Sequence, residues 1–271
     1  MTSPALHIEV EHHIAHVRLN RPEAHNAING AIFEGLRDYA RTIIEAPGDV
    51  RAIVLSGNGK SFCAGLDMGF LAEMMEGDLD DGREDVVDAL EDVSNAGANR
   101  AQQVAWLWQE IPVPVIAAIH GAALGGGLNL ALGADMRVIH PAAKLGFVEI
   151  DFGLLPDMSA TQSLRRLVPL DRIKYLVMTG QKFSGEEAMA YGLATQLSAS
   201  PVEDALKIAG QIVSHNPEAV RAAKSLLNES ALVSVADGLA LETQAMRGLL
   251  GTPNQLEAIA AHFEARKAKF V

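Results

Sequence analysis

The chain has 271 residues, a formal net charge of −12, 49% apolar residues and only 5% aromatic ones. That length suits one large domain, or one domain with a small appendage, and its core must be built mainly from Ala, Val, Leu and Ile. The acidic balance argues against a nucleic-acid partner, which needs clustered Lys and Arg. It leaves room for a phosphate-bearing small ligand held by local cations and helix N-termini. Cys63 is the only cysteine, so no intrachain disulfide can form, and a reducing, cytoplasmic setting is expected. The N-terminus lacks the basic and apolar regions of a signal peptide. No apolar run approaches the roughly 20 residues of a membrane span, so no membrane partner is expected.

In chain order, Leu6–Glu11 and Ile14–Leu19 read as a β-hairpin around His12-His13, broken by Asn20-Arg21-Pro22. Asn29 is a candidate N-cap for a helix over about 31–45, with Ile32, Leu36, Tyr39 and Ile43 on one face. Residues 51–55 form a buried-strand pattern that ends at the turn-rich Ser56-Gly57-Asn58-Gly59. From Met68 to Asn99 the chain becomes strongly acidic; it reads as a solvated surface insert, the alternative being a lid over the site. A helix over 101–110 is stopped by Pro112-Val113-Pro114, and Val115–Ile119 reads as a strand buried on both faces. A glycine-opened helix over 125–132 and a strand over Met136–Ile139 follow. Helical patterns then cover about 159–167, 172–178 and 184–191. From Pro201 onward only helices are expected, capped near Ser200, Asn216-Pro217 and Pro253-Asn254. This order predicts an α/β core over 1–200 and a C-terminal helical region over 201–271.

Two segments carry chemistry. In Leu124-Gly125-Gly126-Gly127-Leu128-Asn129, a glycine run opens a helix and can present bare backbone N–H groups to an anion. It does not fit the dinucleotide fingerprint G-x-G-x-x-G, so a Rossmann reading is rejected. Twenty residues after Asn129, Glu149 places a carboxylate in the otherwise apolar Gly146-Phe147-Val148-Glu149-Ile150. Ser61-Phe62-Cys63-Ala64-Gly65-Leu66-Asp67 is a second candidate source of N–H donors. Two amide donors and a poised carboxylate are what enolate chemistry on a thioester requires. The nine histidines show no metal-ligand spacing, and Cys63 has no identifiable base beside it, so it reads as a packing residue.

SFCAGLDM, HGAALGGGLNLALGADMRV, NRPEAHNAI and the C-terminal FEARKAKF together resemble the enoyl-CoA hydratase/isomerase (crotonase) superfamily, over nearly the whole chain. The resemblance implies a spiral of β-β-α units with C-terminal helices that form a homotrimer or a dimer of trimers. It implies an acyl-CoA substrate and no metal or redox cofactor, coenzyme A being part of the substrate. The implied oxyanion hole is the N–H groups of Ala64 and Gly126, with Ala64, Gly65, Leu66, Asp67, Gly126 and Gly127 along the substrate path. From their own charge, Arg266, Lys267 and Lys269 are candidate contacts for the CoA phosphates across a subunit boundary, the alternative being a solvated helix end where cations suit the dipole.

Departures from the family pattern bear on the reaction. Similar hydratases carry glutamates at the positions of both Asn129 and Glu149, a pair that activates water. Asn129 hydrogen-bonds but accepts no proton, which favours an enoyl-CoA or dienoyl-CoA double-bond isomerase using Glu149 as the base. Hydration and non-catalytic acyl-CoA binding are the alternatives. Asp157, eight residues after Glu149, resembles the second acid/base of related isomerases; its alternative role is to cap the helix that follows.

Overall fold

The computed structural model describes residues 5–69, 72 and 93–271, so most of the acidic segment lies outside the described residues. Strands β1 (Leu6–Glu11) and β2 (Ile14–Leu19) form the expected antiparallel hairpin. Its two turn residues, His12 and His13, both have positive φ, the geometry that matches the twist of paired strands. Strands β3 (Ala52–Gly57), β4 (Val115–Ile119), β6 (Met136–Ile139) and β9 (Gln196–Leu197) add in parallel, giving the order β1-β2-β3-β4-β6-β9. A smaller sheet joins β5 (Ala122–Leu124), β7 (Lys144–Gly146) and β8 (Phe183–Ser184) in the order β5-β7-β8.

Helix starts follow their caps. The Asn29 side chain accepts from the Ile32 amide at the start of α1 (Gly30–Glu45). Asn99 and Gln102 form a reciprocal capping box on α2 (Arg100–Glu110), and Ser184 and Glu187 form another on α6 (Gly185–Tyr191). Helices α3 (Gly126–Leu132), α4 (Ala160–Leu164) and α5 (Leu170–Thr179) complete the middle of the chain.

Residues alternate across the main sheet, and both faces are covered. Ile53, Leu55, Val115, Ala117 and Ile119 join the larger core with Trp108. Ala52, Val54, Ile116, Ala118 and Val138 meet Ala205 and Ala209 of α7 (Pro201–Val213) on the other side. Continuous apolar strands are what two covered faces demand. Because α7 supplies one cover of the sheet, the division expected at residue 200 passes through the core. Helices α8 (Pro217–Ser230), α9 (Val235–Leu249) and α10 (Pro253–Phe263) follow, and α9 buries none of its residues within the chain.

One buried ion pair fastens α8 to the sheet. Lys224 Nζ lies 2.8 Å from Asp135 Oδ2 and donates to the carbonyls of Trp108 and Val113 at 3.0 Å. Asp135 also accepts from the Val115 amide at 2.7 Å. Burial, acting against the pair's mutual attraction, raises the Asp135 pKa and lowers that of Lys224. Removing one partner strands the other charge. Lys224→Ala is therefore expected to reduce the unfolding free energy by about 3–5 kcal/mol in urea titrations. Lys224→Met combined with Asp135→Asn should cost less than Lys224→Ala alone, and an equal or larger loss in the double variant would contradict this account.

Candidate active site

The segment after β3 is held on both sides by backbone bonds. Cys63 donates to Ala122 O at 2.9 Å and accepts from the Leu124 amide at 3.1 Å, which aligns it parallel to β5. On the other side, the Ile28 amide donates to Gly65 O at 2.7 Å and the Asp67 amide donates to Ile28 O at 2.9 Å. The segment Arg21–Asn26 scaffolds this arrangement. The fully buried Asn26 donates to Asn58 O and Ser61 O, and accepts from the Arg21 amide. Arg21 Nη1 reaches Ala27 O at 2.9 Å and Asp67 Oδ2 at 3.0 Å.

These bonds correct one expected donor. The Ala64 N–H is already given to His25 O at 2.9 Å, so it is not available to a substrate oxygen. The Leu66 N–H has no acceptor among the described residues. Its neighbours Gly65 and Asp67 make the bonds to Ile28, so the Leu66 amide faces the opposite side, where Gly126 stands. Choosing between Ala64 and Leu66 needs the pairing partners of the segment, which residue spacing does not encode. Asp67, expected on the substrate path, is held by Arg21 and accepts from the Gly69 amide at 2.9 Å.

Gly126 opens α3. The first bond within that helix runs from the Asn129 amide to Gly125 O at 3.0 Å, so the amides of Gly126, Gly127 and Leu128 have no partner inside it. Glycine is required here because two backbones meet. A Cβ on Gly127 would stand 2.4 Å from Cys63 O, and one on Gly65 would stand 2.8 Å from Leu124 O and 3.8 Å from the Gly126 nitrogen. The close approach brings the Leu66 and Gly126 segments together.

Glu149 begins a 3₁₀ turn, Glu149–Phe152, just beyond β7. Asn129 Nδ2 donates to Glu149 Oε1 at 2.9 Å. The second oxygen of Glu149 and Asn129 Oδ1 are both buried without a hydrogen-bond partner, and Asn129 is 1% exposed. Gly125, at φ 48°, lets the carboxylate lie against the backbone; a Cβ there would be 3.4 Å from Glu149 Oε1. Burial raises the Glu149 pKa, opposed by its own amide and by Asn129, while the charge of Asp157 raises it further.

Asp157 is exposed, yet partial burial of its carboxyl group raises its pKa. Ser159, not Asp157, occupies the N-cap of α4, so the alternative role as helix cap does not apply. The Cys63 thiol is buried and pushed up to about 12, which leaves it unreactive. Arg266 pairs with Glu257 and Glu264. Lys267 and Lys269 line a cleft with His13, Arg51, His215 and His262, and Arg51 Nη2 donates to Phe270 O. Arg51 precedes β3, so this cleft lies at the opposite end of the strand from the loop bearing Leu66. Among the described residues, no group of three His, Cys, Asp or Glu side chains is placed to hold a metal. No helix among them is long and apolar enough to cross a membrane.

The sequence profile of the enoyl-CoA hydratase/isomerase family matches residues 9–271. The chain is 34% identical to a short-chain-enoyl-CoA hydratase of Clostridium acetobutylicum over 263 residues, covering 96% of this chain and 95% of the relative. It is 32% identical to an enoyl-CoA isomerase/hydratase of Mycosarcoma maydis over 269 residues, covering 95% and 92%. The crystal structure of an enoyl-CoA hydratase from Bacillus anthracis superposes with a TM-score of 0.85 at 33% identity, covering 98% of each chain. The chain belongs to the enoyl-CoA hydratase/isomerase family, with the crotonase fold that its motifs resemble, and is an acyl-CoA enzyme of that family.

The raised Glu149 pKa has a definite sign for stability. The folded chain binds this proton more tightly than the unfolded chain, so stability falls as pH rises from 4.5 through the folded pKa. Glu149→Gln keeps an acceptor for Asn129 and removes the charge. It is expected to raise the melting temperature at neutral pH, with the gain vanishing below pH 4.5. An equal gain on both sides of that pH would contradict a desolvated carboxylate.

Proposed function

We propose that this chain is an enoyl-CoA double-bond isomerase. The observation that carries the reading is Asn129 donating to Glu149, so that the hydrogen-bond partner of the inner carboxylate is an amide and not a second carboxylate. In this reading the Leu66 and Gly126 amides receive the thioester oxygen, where one such donor is worth about 3–4 kcal/mol to an oxyanion. For a 3-enoyl thioester, Glu149 takes a proton from C2. The C–H electrons move into a dienolate whose charge rests on the thioester oxygen. Reprotonation at C4 gives the 2-enoyl isomer and returns Glu149 to its starting state. A base with a raised pKa suits proton removal and return. Asp157, whose charge Glu149 senses, is a charge partner that keeps the Glu149 pKa up while Glu149 shuttles the proton, or a second acid/base where C4 lies beyond the reach of Glu149.

Hydration is the second reading. Asn129 Oδ1 and the second Glu149 oxygen are two adjacent residues' unpartnered acceptors, a pair able to take both hydrogens of one water. The Clostridium and Bacillus relatives are named as hydratases, which also supports it. In either reaction coenzyme A belongs to the substrate, and no metal or redox cofactor is invoked. The exposed apolar side chains of Leu239, Met246, Leu256 and Phe263 on α9 and α10 support burial against further copies, as a homotrimer or a dimer of trimers. A cytoplasmic location completes the proposal.

Incubation in D2O with a panel of enoyl- and dienoyl-CoA esters, followed by mass analysis, separates the readings. A shifted double bond with deuterium uptake is expected, without the mass of an added water. A water adduct as the main product would replace isomerisation with hydration. Glu149→Gln is expected to reduce turnover about 10²–10⁴-fold while retaining CoA binding, and undiminished turnover would overturn both readings.

A further inference from the structure

Consecutive glycines in the site face different surroundings. The Cβ position of Gly125 points at the Glu149 carboxylate, whereas that of Gly126 points at an apolar wall. Met158 Sδ is 3.1 Å from the Gly126 position, with Ile28 Cδ1 at 3.6 Å and Leu66 Cγ at 3.7 Å. Ile28 is fully buried and Met158 is 3% exposed. The next residue, Ser159, has φ 64° and is also buried. Left-handed backbone at a residue with a Cβ is sparsely populated and recurs where a site over-determines its geometry. Here it directly follows the buried Met158.

We propose that Met158 sets acyl specificity by closing the space beside the thioester, so that the site takes acyl-CoA esters unbranched at C2. The inference rests on the reading of Gly126 as a donor to the thioester oxygen. With the oxygen on Gly126 and the C2 proton turned toward Glu149 beside Gly125, a second substituent on C2 is turned away from Glu149, toward the wall of Met158, Ile28 and Leu66 at Gly126. Of the three, Met158 makes the tightest approach. Its side chain is unbranched and flexible, so a linear chain passes by a small rotamer change that a C2 branch does not permit.

The test compares binding of hexanoyl-CoA and 2-methylhexanoyl-CoA by calorimetry, which needs no turnover. The wild-type chain is expected to bind the linear ester about ten-fold or more tightly, the scale on which an apolar pocket discriminates one added carbon. Met158→Ala should narrow the ratio to about two-fold or less, and Met158→Leu, of similar volume, should preserve it. An unchanged ratio in Met158→Ala, with an unchanged melting transition, would overturn the inference, as would a wild-type chain that binds both esters equally. If discrimination holds while no enoyl ester is isomerised, the isomerase reading fails and this inference stands.

Discussion

The site depends on one backbone approach. The segment of residues 61–67 runs against β5 and the start of α3 so closely that Gly127 faces Cys63 O where any Cβ would clash. That contact places the Leu66 and Gly126 amides on adjoining chains. The parallel bridge between Cys63 and Ala123 sets the register. The Asn26 and Arg21 bonds hold the outer side of the segment. Without the approach, the amides would be ordinary loop donors open to water, and their effect on a thioester oxygen would be screened.

The carboxylate is arranged by the same logic of backbone and burial. Glu149 lies beside Gly125, accepts one hydrogen bond from Asn129 and leaves its second oxygen unpartnered. An unpartnered buried oxygen costs stability in the free protein. In the proposed reaction, that cost is the counterpart of a base ready to take a proton. Elsewhere the chain satisfies its buried charge: Lys224, more deeply buried than Glu149, is surrounded by a carboxylate and two carbonyls. The contrast between a fully partnered structural charge and a half-partnered one at the site is physical support for treating Glu149 as functional.

Much of the architecture was legible from sequence because it rests on local signals. The His12-His13 hairpin, the Asn29 cap, the helix opened at Ser184 and the apolar strand Val115–Ile119 all appear where patterning places them. Strands β5, β7, β8 and β9, of two or three residues each, are too short to show a period and form only because a neighbour is present. The Ala205 and Ala209 face of α7 carries too little bulk to announce that it covers the sheet. At the site, the resemblance implied that positions 129 and 149 meet, as the family's paired glutamates do, but not that the Asn129 amide would donate to Glu149. Ala64 was expected as the oxyanion donor, but its amide is spent on His25; donor direction is a property of tertiary pairing. Met158 gave no signal of its own, since a lone methionine beside a helix start reads as core.

In the proposed reaction the Leu66 and Gly126 amides polarise the thioester carbonyl. The most direct test is the infrared stretch of an acyl-CoA labelled with ¹³C at the thioester carbonyl, free and bound to the protein. Two preorganised donors in a water-poor site weaken the C=O bond, so the bound band should move to lower frequency than in water. A bound ester whose band stays at its aqueous position, or moves higher, would contradict the account.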